Sequence, residues 1–484
     1  MEKLNYRTLE KLKYKGYILK DAPERVLQFG EGNFLRAFVE HFIDIMNEKA
    51  EFNGKVVMVQ PSPNNSATYA DKINEQDGLY TLYLRGLKKG GKVQEKRIIS
   101  CVSRCLNVNR DYSEVIACAD NPELRYIVCN TTEAGIVHDS RDDFKDFPPV
   151  SYPAKLTQFL YRRFQRFGEK NGKGFIILPC ELIDDNGKEL KRCVLKYAVQ
   201  WRLGEEFIQW IERENLFCST LVDRIVTGYP KDEAVALNEE NGYEDSFIDT
   251  GEMYGMWVIE APEWLSKELP FDEAGLPVQI TNDYKPYRQR KVCILNGAHT
   301  SMAPGAYLAG KRTVGECMDD KGISEFIKRL INNEIIPALS LCEEECKQFA
   351  DAVEERFENP FIHHELLSIS LNSTSKWKAR VLPVIEDYQR KYGVLPRRLV
   401  ASFAFYIAFY IMFAQGSCND ERKVLEFFCN HRDDSEEELV HAVCCNAGFW
   451  GKNLAKFPGL EEETVRILRN VRKDGIYETI VNLI

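Results

Sequence analysis

The sequence lacks the patterns by which many proteins hold structural metals or enter the secretory pathway. Its fifteen cysteines include no CxxC pair and no Cys/His quartet at zinc-finger spacing, which excludes a zinc module of that kind. Thiols scattered through a long chain indicate a reducing compartment. Residues 1–17 are polar and lack the apolar core of a signal peptide. We therefore expect a cytoplasmic protein whose chemistry needs no metal.

The sequence also lacks a long apolar run and an excess of basic charge. Its most hydrophobic stretch, residues 399–414, is too short to cross a bilayer comfortably and predicts a buried helix instead. The 64 basic residues are outnumbered by 74 acidic ones, whereas a nucleic-acid-binding protein needs a basic surface. We expect neither a membrane nor a nucleic-acid partner. An anionic ligand would have to be held by a local group of cations.

The pattern that is present is the alternation of strands and helices found in α/β proteins. The 484 residues are too many for one compact core, so two domains are predicted. Strand-like runs alternate with helical patterns in the first half, which predicts a doubly wound parallel sheet. The predicted strands are residues 25–29, 55–60, 125–130, 174–180 and 254–262.

The second half has a different pattern. After about residue 290, apolar residues recur at helical spacing almost to the end of the chain. We therefore divide the chain into an α/β domain, residues 1–285, and an all-helical domain, residues 286–484. A cleft between two such domains is the expected place for a small-molecule site.

A glycine pair, Gly30 and Gly32, stands between the first predicted strand and a helical pattern. In a dinucleotide site, one glycine permits the tight turn, another lets the backbone approach pyrophosphate, and the helix N-terminus stabilises the negative charge. Leu35 replaces the third glycine of GxGxxG, and a turn without a ligand explains two glycines equally well. The place after the first strand favours a cofactor site, to which Asn33 and Phe34 would contribute.

Polar residues follow two later strands of the same half. Gln60 ends the second strand, where an acid usually binds the ribose of NAD; its amide can still form a hydrogen bond but does not repel NADP. No arginine follows to hold a 2′-phosphate, which favours NAD. Asn130, Thr131 and Glu133 follow the third predicted strand, and we expect them near the nicotinamide. A helix cap formed by Thr132 and Glu133 is the structural alternative.

The stretch KVCILNGAHT, residues 291–300, sets Lys291, Asn296 and His299 among apolar and small residues. On an α-helix at 100° per residue, Asn296 and His299 lie about 140° and about 80° from Lys291, so all three project from one face. A partly desolvated lysine has a lowered pKa and can exchange a proton near neutrality. Asn296 can donate an N–H group to a developing alkoxide, and His299 can hold the amine or a substrate oxygen.

This set of side chains predicts the interconversion of an alcohol and a carbonyl by hydride transfer. The lysine takes the hydroxyl proton on oxidation or returns it on reduction, and a cofactor carries the hydride. For any one of the three residues, a solvent-facing lysine, an Asn-Gly cap or a surface histidine is the structural alternative. Their common face beside a predicted cofactor domain favours the catalytic interpretation.

The motif K-x4-N-x2-H resembles the signature of the mannitol dehydrogenase family of polyol-specific long-chain dehydrogenases. Further blocks extend the resemblance over almost the whole chain, with a weaker match after about residue 415, and are similar to the branch of that family that acts on uronates. These blocks are QFGEGNFLRAF, QDGLYTLYLRG, NTTEAGI, SYPAKLTQFLYRRF, LPCELIDDNG, FCSTLVDRIVTGYP, KPYRQRKVCILNGAHT and RFENPFIHHELLSISLNS.

The resemblance implies an N-terminal Rossmann-type domain, a helical C-terminal domain and metal-independent chemistry with NAD as the cofactor. It implies that Lys291 is the catalytic lysine, supported by Asn296 and His299. The mannitol branch has a second oxyanion-stabilising asparagine just after a Cys-Asp pair, whereas this chain has CEL at residues 180–182. This departure counts against mannitol and agrees with a uronate. The implied reaction is the NAD-dependent reduction of D-tagaturonate to D-altronate and its reverse.

A uronate substrate carries a carboxylate, for which an acidic protein needs a local cation. Lys376 and Arg380 are an i,i+4 pair on one predicted helix face, with Lys378 between them, and Arg356 lies in the block RFENP. Lys376, Arg380 and Arg356 are the predicted substrate-binding residues, and a solvated surface pair is the alternative for the first two. Arg36, one turn into the first helix, is a further candidate for the pyrophosphate.

Two other polar pairs receive simpler interpretations. His363 and His364 are adjacent and diverge on a helix, so we expect polar residues lining the cleft or the surface rather than a metal pair. Asp223 and Arg224 are predicted to form an internal ion pair with a structural role.

A small-molecule sugar acid is therefore the expected substrate. We expect the protein itself to be a monomer or a small homo-oligomer. The first alternative is the same chemistry on D-fructuronate or on a neutral polyol such as mannitol, which a site without a cation opposite the far end of the substrate would favour. The second alternative is an NAD sensor that has lost catalysis.

Overall fold

A computed structural model of the chain describes residues 1–61, 68–88, 91–132, 134–168, 172–413 and 419–484. The chain divides into two compact units. The first comprises Met1–Gly86 and Lys92–Tyr284, and the second comprises Leu87–Gly91 and Lys285–Ile484.

Strands are numbered in chain order. Their bounds are β1 Glu24–Phe29, β2 Lys55–Gln60, β3 Tyr80–Lys88, β4 Gly91–Ile99, β5 Val102–Asn107, β6 Tyr126–Cys129, β7 Ile176–Pro179, β8 Leu216–Phe217, β9 Ser219–Asp223, β10 Asp249–Glu252, β11 Met256–Glu260 and β12 Val278–Thr281.

The main element of the first unit is a six-stranded sheet in the order β5-β2-β1-β6-β7-β8. All five neighbouring pairs are parallel. Counted along the chain within this sheet, the order is 3-2-1-4-5-6, the arrangement of a dinucleotide-binding Rossmann sheet. The order reverses between β1 and β6, and a ligand of such a sheet binds outside the carboxyl ends of the strands at that point.

The buried side chains of this sheet alternate between two cores. Val26 on β1 and Val56 on β2 belong to the core on one face, whereas Leu27 and Val57 belong to the core on the other. Strand β2, with the sequence KVVMVQ, is buried along its whole length. A parallel strand covered by helices on both faces requires such a continuous apolar run, which is why β2 could be predicted with the bounds it has.

The first unit also contains two three-stranded sheets that the sequence pattern did not predict. Their orders are β10-β3-β4 and β12-β11-β9. The predicted strand at 254–262 is real as β11, but its assignment to the doubly wound sheet was wrong. Strand β11 pairs antiparallel with β9 and parallel with β12 in a sheet of its own. The other four predicted strands are β1, β2, β6 and β7 of the six-stranded sheet.

The first helix of the first unit precedes β1, and its other helices lie between the strands along the chain. Their bounds are Tyr6–Lys11, Asn33–Leu35, the π-helical turn Arg36–Glu40, His41–Lys49, Tyr69–Glu75, Val108–Ala117, the 3-10 turn Cys118–Asp120, Tyr152–Phe167, Asn186–Gln200, Glu205–Glu214, Ala234–Asn241 and Leu265–Glu268.

Residues Lys285–Ile484 of the second unit fold into helices, as the sequence pattern predicted. Their bounds are Lys285–Arg290, the π-helical turn Lys291–Asn296, Gly297–Leu308, Val314–Asp319, Lys321–Leu330, the π-helical turn Ile331–Ile335, Ile336–Ala338, Glu343–Phe357, Leu366–Ile369, Ser373–Arg380, Leu382–Tyr392, Arg397–Phe413, Arg422–Asn430, Glu436–Cys445, Ala447–Trp450, the 3-10 turn Leu454–Lys456, Leu460–Asp474 and Ile476–Val481.

The hydrophobic run near residue 400 forms a buried helix, Arg397–Phe413, as predicted. It packs against helix Gly297–Leu308, of which residues 297–306 are buried. Within the described part of the chain, no helix has the length and apolar character that a membrane span requires.

Arg224 is buried and has several partners in the first unit. Its buried guanidinium donates hydrogen bonds to the main-chain oxygens of Ala37 at 2.7 Å and Tyr254 at 2.8 Å, and it lies 3.2 Å from His41 Nδ1. Burial, followed by the positive charge of Arg224, lowers the pKa of His41 well below its usual value. Arg224 is therefore structural, as predicted, and it ties the first long helix to the strand region. Its predicted ion pair with Asp223 stays a prediction.

Candidate active site

The glycine turn lies at the carboxyl edge of the six-stranded sheet, where the strand order reverses. Gly30 follows β1 directly and has φ of 130°, a conformation that favours glycine. Its N–H group donates a hydrogen bond to Val59 O at 2.9 Å. A Cβ atom on Gly30 would lie 3.0 Å from Leu35 Cδ1 and 3.3 Å from Asn130 O. Both the backbone conformation and the available space therefore require glycine here.

Gly32 plays a different part in the same turn. It has an ordinary φ of −66° and caps the helix that begins at Asn33. A Cβ atom on Gly32 would meet no heavy atom of the described residues within 4 Å, its chain neighbours aside. The described residues thus leave the helix N-terminus open, so an anionic group can approach its backbone N–H groups. This cradle fits the pyrophosphate of a dinucleotide.

The two residues after the turn differ in burial. Asn33 is exposed, and its Oδ1 accepts a hydrogen bond from Arg36 Nη2 at 2.6 Å. Phe34 is half-buried and stacks on Phe38, with ring centroids 5.1 Å apart. The first therefore faces a ligand more readily than the second, which anchors the helix to the core.

Arg36 occupies a buried position rather than an open one. Its guanidinium donates a hydrogen bond to Phe247 O at 2.7 Å and lies 3.4 Å from the carboxylate of Asp249, and both side chains are almost completely buried. Burial raises the pKa of Asp249 to about 7, although the charge of Arg36 opposes that rise. The contacts of Arg36 support the fold beneath the glycine turn. Its role at a pyrophosphate stays a prediction.

Gln60 ends β2 in a buried position, and its Oε1 accepts a hydrogen bond from Asn107 Nδ2 at 3.2 Å. The carboxamide predicted to bind a ribose is thus engaged in joining the ends of two neighbouring strands. Residues 62–67, which follow, lie outside the described part of the chain.

The predicted nicotinamide-side loop begins with Asn130, which is half-buried, and its N–H group donates to Phe29 O at 3.2 Å. The next residue, Thr131, donates from both its backbone N–H group and its hydroxyl to Glu181 Oε1, at 2.9 and 3.0 Å. Glu133 lies outside the described residues. The loops after β6 and β7 are therefore joined by a carboxylate at the edge where a Rossmann sheet binds its ligand.

Glu181 is the residue at this edge that the sequence did not single out. It is 2% exposed, and burial raises the pKa of its carboxyl, an effect that hydrogen bonds from Thr131 oppose. In the sequence it is one acid in a loop rich in acids, and only its place directly after β7 distinguishes it. Leu182, which stands where the mannitol branch has an asparagine, is 63% exposed.

Lys291, Asn296 and His299 lie on one continuous helical stretch of the second unit, but its first turn is not an α-helix. Residues Lys291–Asn296 form a π-helical turn, and the α-helix resumes at Gly297. The predicted angles of about 140° and about 80° assumed α-helical pitch and are wrong for this turn, because i→i+5 bonding places more residues in each turn. Lys291 and His299 are 9% and 7% exposed, whereas Asn296 is half-buried.

His299 has the most distinctive environment of the three. Its ring stacks on Phe357, with centroids 4.3 Å apart, and meets His364 edge-on at 4.9 Å and 81°. Its Nε2 is buried and has no hydrogen-bond partner among the described residues. Burial lowers the pKa of this imidazole well below its usual value, and the nearby bases His364, Arg356, Arg380 and Lys376 lower it further. His299 is therefore neutral near pH 7.

The three predicted substrate-binding cations all act on this histidine. Arg356 is buried near the end of helix Glu343–Phe357, and Lys376 and Arg380 are half-buried on helix Ser373–Arg380. Arg380 Nη1 donates a hydrogen bond to Thr300 Oγ1 at 3.3 Å, one residue from His299. Lys378, on the same helix, is exposed.

The neighbouring histidines differ from each other. His364 is half-buried against His299, whereas His363 is exposed. The sequence predicted that they line the cleft or the surface; His363 is at the surface, and a lining position for His364 stays a prediction. In the part of the chain that the structure describes, no group of three histidine, cysteine, aspartate or glutamate side chains is placed to hold a metal ion.

Comparison with known proteins identifies the class to which this chain belongs. The profile of the mannitol dehydrogenase Rossmann domain matches residues 24–273, and that of the mannitol dehydrogenase C-terminal domain matches residues 283–471. The chain therefore belongs to the mannitol dehydrogenase family of NAD-dependent oxidoreductases. The resemblance inferred from K-x4-N-x2-H and its neighbouring blocks is confirmed, as is the pairing of a Rossmann domain with a helical domain.

Curated relatives and solved structures agree with that assignment. The altronate oxidoreductase of Yersinia enterocolitica serotype O:8 / biotype 1B is 44% identical over 480 residues, covering 97% of this chain and 98% of the relative. That of Cronobacter sakazakii is 46% identical over 475 residues, covering 95% and 97%. Among solved structures, a ternary complex of Pseudomonas fluorescens mannitol 2-dehydrogenase with NAD and D-mannitol has a TM-score of 0.72 at 21% identity, covering 99% of each chain. A substrate-free D-sorbitol dehydrogenase has a TM-score of 0.80 at 21% identity, covering 99% of this chain and 100% of that one, and both show the same fold.

Proposed function

We propose that the protein interconverts D-tagaturonate and D-altronate with NAD, and that Lys291 is its acid/base. The observation that carries the proposal is the group of basic side chains around His299. Arg356, Lys376 and Arg380 all lie close enough to lower the pKa of that imidazole. A neutral polyol offers such cations nothing to pair with, whereas a uronate ends in a carboxylate. The altronate oxidoreductases that match this chain almost end to end support the same substrate pair.

The carboxylate is held by cations from two helices. Arg356 presents a planar guanidinium from helix Glu343–Phe357, and Lys376 and Arg380 extend from helix Ser373–Arg380. A guanidinium can donate two parallel hydrogen bonds to one carboxylate, which fixes the orientation of the substrate as well as its position. The far end of the substrate is thereby held while its carbonyl or hydroxyl group reacts.

Lys291 exchanges the proton. On reduction it protonates the oxygen that was the carbonyl of tagaturonate, and on oxidation it accepts the proton of the altronate hydroxyl. Asn296 donates an N–H group to the oxygen while its negative charge develops. His299, being neutral, holds a substrate hydroxyl through the Nε2 that has no protein partner.

The glycine turn holds the cofactor. Gly30, Gly32 and the backbone at Asn33 bind the pyrophosphate, and Asn130 and Thr131 lie on the nicotinamide side. When bound, NAD accepts the hydride from the substrate carbon on oxidation, and NADH supplies it on reduction. Glu181 fixes the loop at Thr131 and so keeps the edge of the sheet in one conformation.

The proposal is tested by following NADH absorbance with purified protein and a panel of substrates. The panel contains D-tagaturonate, D-fructuronate, D-fructose and D-tagatose, the last of which has a hydroxymethyl group in place of the tagaturonate carboxylate. We expect a kcat/KM for D-tagaturonate at least about 100-fold above that for D-tagatose, because loss of a charge-assisted bidentate contact removes about 3 kcal/mol. Comparing D-fructuronate with D-tagaturonate shows which of the two uronates the protein prefers.

Three outcomes would change the assignment in different ways. Preference for D-fructuronate would keep the mechanism and move the substrate. Turnover of the neutral ketoses at rates equal to the uronate would remove the role given to the cations. No turnover of the whole panel by a protein that binds NADH would contradict the enzymatic proposal and favour a sensor.

A further inference from the structure

His364 lies beside the proposed substrate site on a firmly held backbone. Its carbonyl oxygen accepts a hydrogen bond from Val314 N at 3.0 Å, and the next residue, Glu365, forms an isolated antiparallel bridge with Thr313. Leu366 N donates to Arg312 O at 2.9 Å. Because its own carbonyl group and the two residues that follow it are tied to the segment Arg312–Val314, His364 is presented from a fixed position.

A histidine and two cations on three helices lie near His364. From helix Gly297–Leu308 it meets the ring of His299 edge-on at 4.9 Å. Arg356 on helix Glu343–Phe357 and Lys376 on helix Ser373–Arg380 are the two cations whose charge acts on its imidazole. Burial lowers the pKa of the half-buried His364 imidazole, and these two cations lower it further. The groups that act on the His364 imidazole are thus either positively charged, as Arg356 and Lys376 are, or neutral, as His299 is.

Near these cations, protonation of the half-buried His364 imidazole is unfavourable, whereas binding of an anion is favourable. A carboxylate that enters it pairs with the cations, and its negative charge also stabilises the protonated form of His364. Binding of the anion then brings a proton from solvent onto the imidazole, which gains a charge-assisted hydrogen bond to the carboxylate. A hydroxymethyl group at the same place would bring no proton.

We propose that His364 is a specificity-determining residue, which takes up a proton when an anionic sugar acid binds and selects that acid over a neutral sugar. This inference rests on the proposed function, because it places the substrate carboxylate among Arg356, Lys376 and His364. The inference adds His364 to the proposed substrate site, together with the proton that its imidazole takes up when the acid binds. The chemistry at Lys291 does not depend on it.

The neighbouring histidine provides a matched control. His363 is exposed, whereas His364 is half-buried against His299. We compare His364→Asn with His363→Asn, since asparagine retains polarity but has no imidazole to protonate. Loss of one hydrogen bond to a charged group raises KM at least about tenfold. His364→Asn should therefore raise the KM for D-tagaturonate by that factor, with kcat and NADH affinity within about twofold of wild type.

A second readout measures the proton directly. D-Altronate is titrated calorimetrically into the complex of the enzyme with NADH, in which no hydride can be transferred because both partners are already reduced. Repeating the titration at pH 7.5 in two buffers of different ionisation enthalpy gives the number of protons taken up. Wild type and His363→Asn should take up a measurable fraction of one proton, and His364→Asn should take up close to none. A purely structural role for His364 would not change this number.

The outcomes separate this inference from the proposed function. Wild-type protein that does not reduce D-tagaturonate would overturn the proposed function itself. Wild-type protein that does so, while His364→Asn equals His363→Asn in both KM and proton uptake, would overturn only the role of His364. A His364→Asn protein with unchanged proton uptake and a raised KM would also contradict the role assigned here, because the imidazole would then act without titrating.

Discussion

Replacing Gly30 by alanine is expected to destabilise the protein, whereas the same change at Gly32 is expected to weaken NADH binding without destabilising it. The two glycines are two residues apart in one turn, so the comparison isolates what each contributes. Gly30 has φ of 130° and Gly32 has φ of −66°. Only the first is in a region that an alanine adopts with strain.

The size of the effect at Gly30 follows from two terms. Placing an L-residue at positive φ costs about 1–2 kcal/mol. The new Cβ would also lie 3.0 Å from Leu35 Cδ1 and 3.3 Å from the main-chain oxygen of Asn130, contacts too close for both neighbours to remain in place. Overpacking of this kind costs about 1–3 kcal/mol. We therefore expect Gly30→Ala to lower the free energy of unfolding by about 2–5 kcal/mol.

At Gly32 two small terms oppose each other. Alanine is a poorer helix N-cap than glycine by several tenths of a kcal/mol or more, but it reduces the entropy of the unfolded chain by about 0.4–1 kcal/mol. Since no described atom lies within 4 Å of the new Cβ, stability should stay near that of wild type. In the proposed site the methyl group stands where the backbone meets pyrophosphate, so the dissociation constant of NADH should rise at least about tenfold, or about 1.4 kcal/mol.

Urea unfolding followed by tryptophan fluorescence measures the first effect, and NADH fluorescence titration measures the second. The midpoints of the transitions are compared rather than extrapolated free energies, because a chain of two units need not unfold in one step. Equal midpoints for Gly30→Ala and wild type would refute the strain argument. Unchanged NADH affinity in a well-folded Gly32→Ala would refute the placement of the pyrophosphate.

Three further predictions concern charged side chains. Lys376→Met should raise the KM for D-tagaturonate at least about tenfold, whereas Lys378→Met, two residues along the same helix, should leave it unchanged in steady-state assays. Arg36→Met should lower the free energy of unfolding by about 3–5 kcal/mol in urea titrations at pH 8, because the buried carboxylate of Asp249 loses its cation; a loss below about 1 kcal/mol would contradict the buried pair. The pKa of Asp249 is raised by burial to about 7, so the folded state keeps a proton that the unfolded state releases above pH 4. Stability from this group is therefore lost as the pH rises from about 4 to about 7, and Asp249→Asn should unfold with a flatter dependence of its urea midpoint on pH than wild type.

The glycine turn and the first strands could be predicted because their signals are local. A buried parallel strand needs a continuous apolar run, as in KVVMVQ, and a tight turn into a helix needs glycine, as at Gly30. The order of strands could not be predicted, because which parallel strands become neighbours depends on segments far apart in the sequence. For the same reason β11 was found as a strand but assigned to the wrong sheet.

In the site of the second unit, too, local features could be predicted from the sequence and contacts between distant segments could not. The i,i+4 spacing of Lys376 and Arg380 predicted that they share a face, and both act on the one histidine. The π-helical turn at Lys291–Asn296 gives no signal in a sequence of apolar residues that suits an α-helix equally well. Nor does the sequence show that the ring of Phe357 covers His299, because that contact joins two helices that are distant along the chain.

The most direct test of the account is the rate of NADH oxidation with saturating D-tagaturonate in Lys291→Ala, compared with Lys285→Ala. Both residues lie in the helical stretch that begins the second domain, but Lys285 is exposed and Lys291 is buried. Loss of a general acid/base lowers the rate about 10²- to 10⁴-fold. The account predicts that loss for Lys291→Ala, with NADH affinity unchanged and Lys285→Ala close to wild type. A Lys291→Ala protein that reduces D-tagaturonate at the wild-type rate would contradict it.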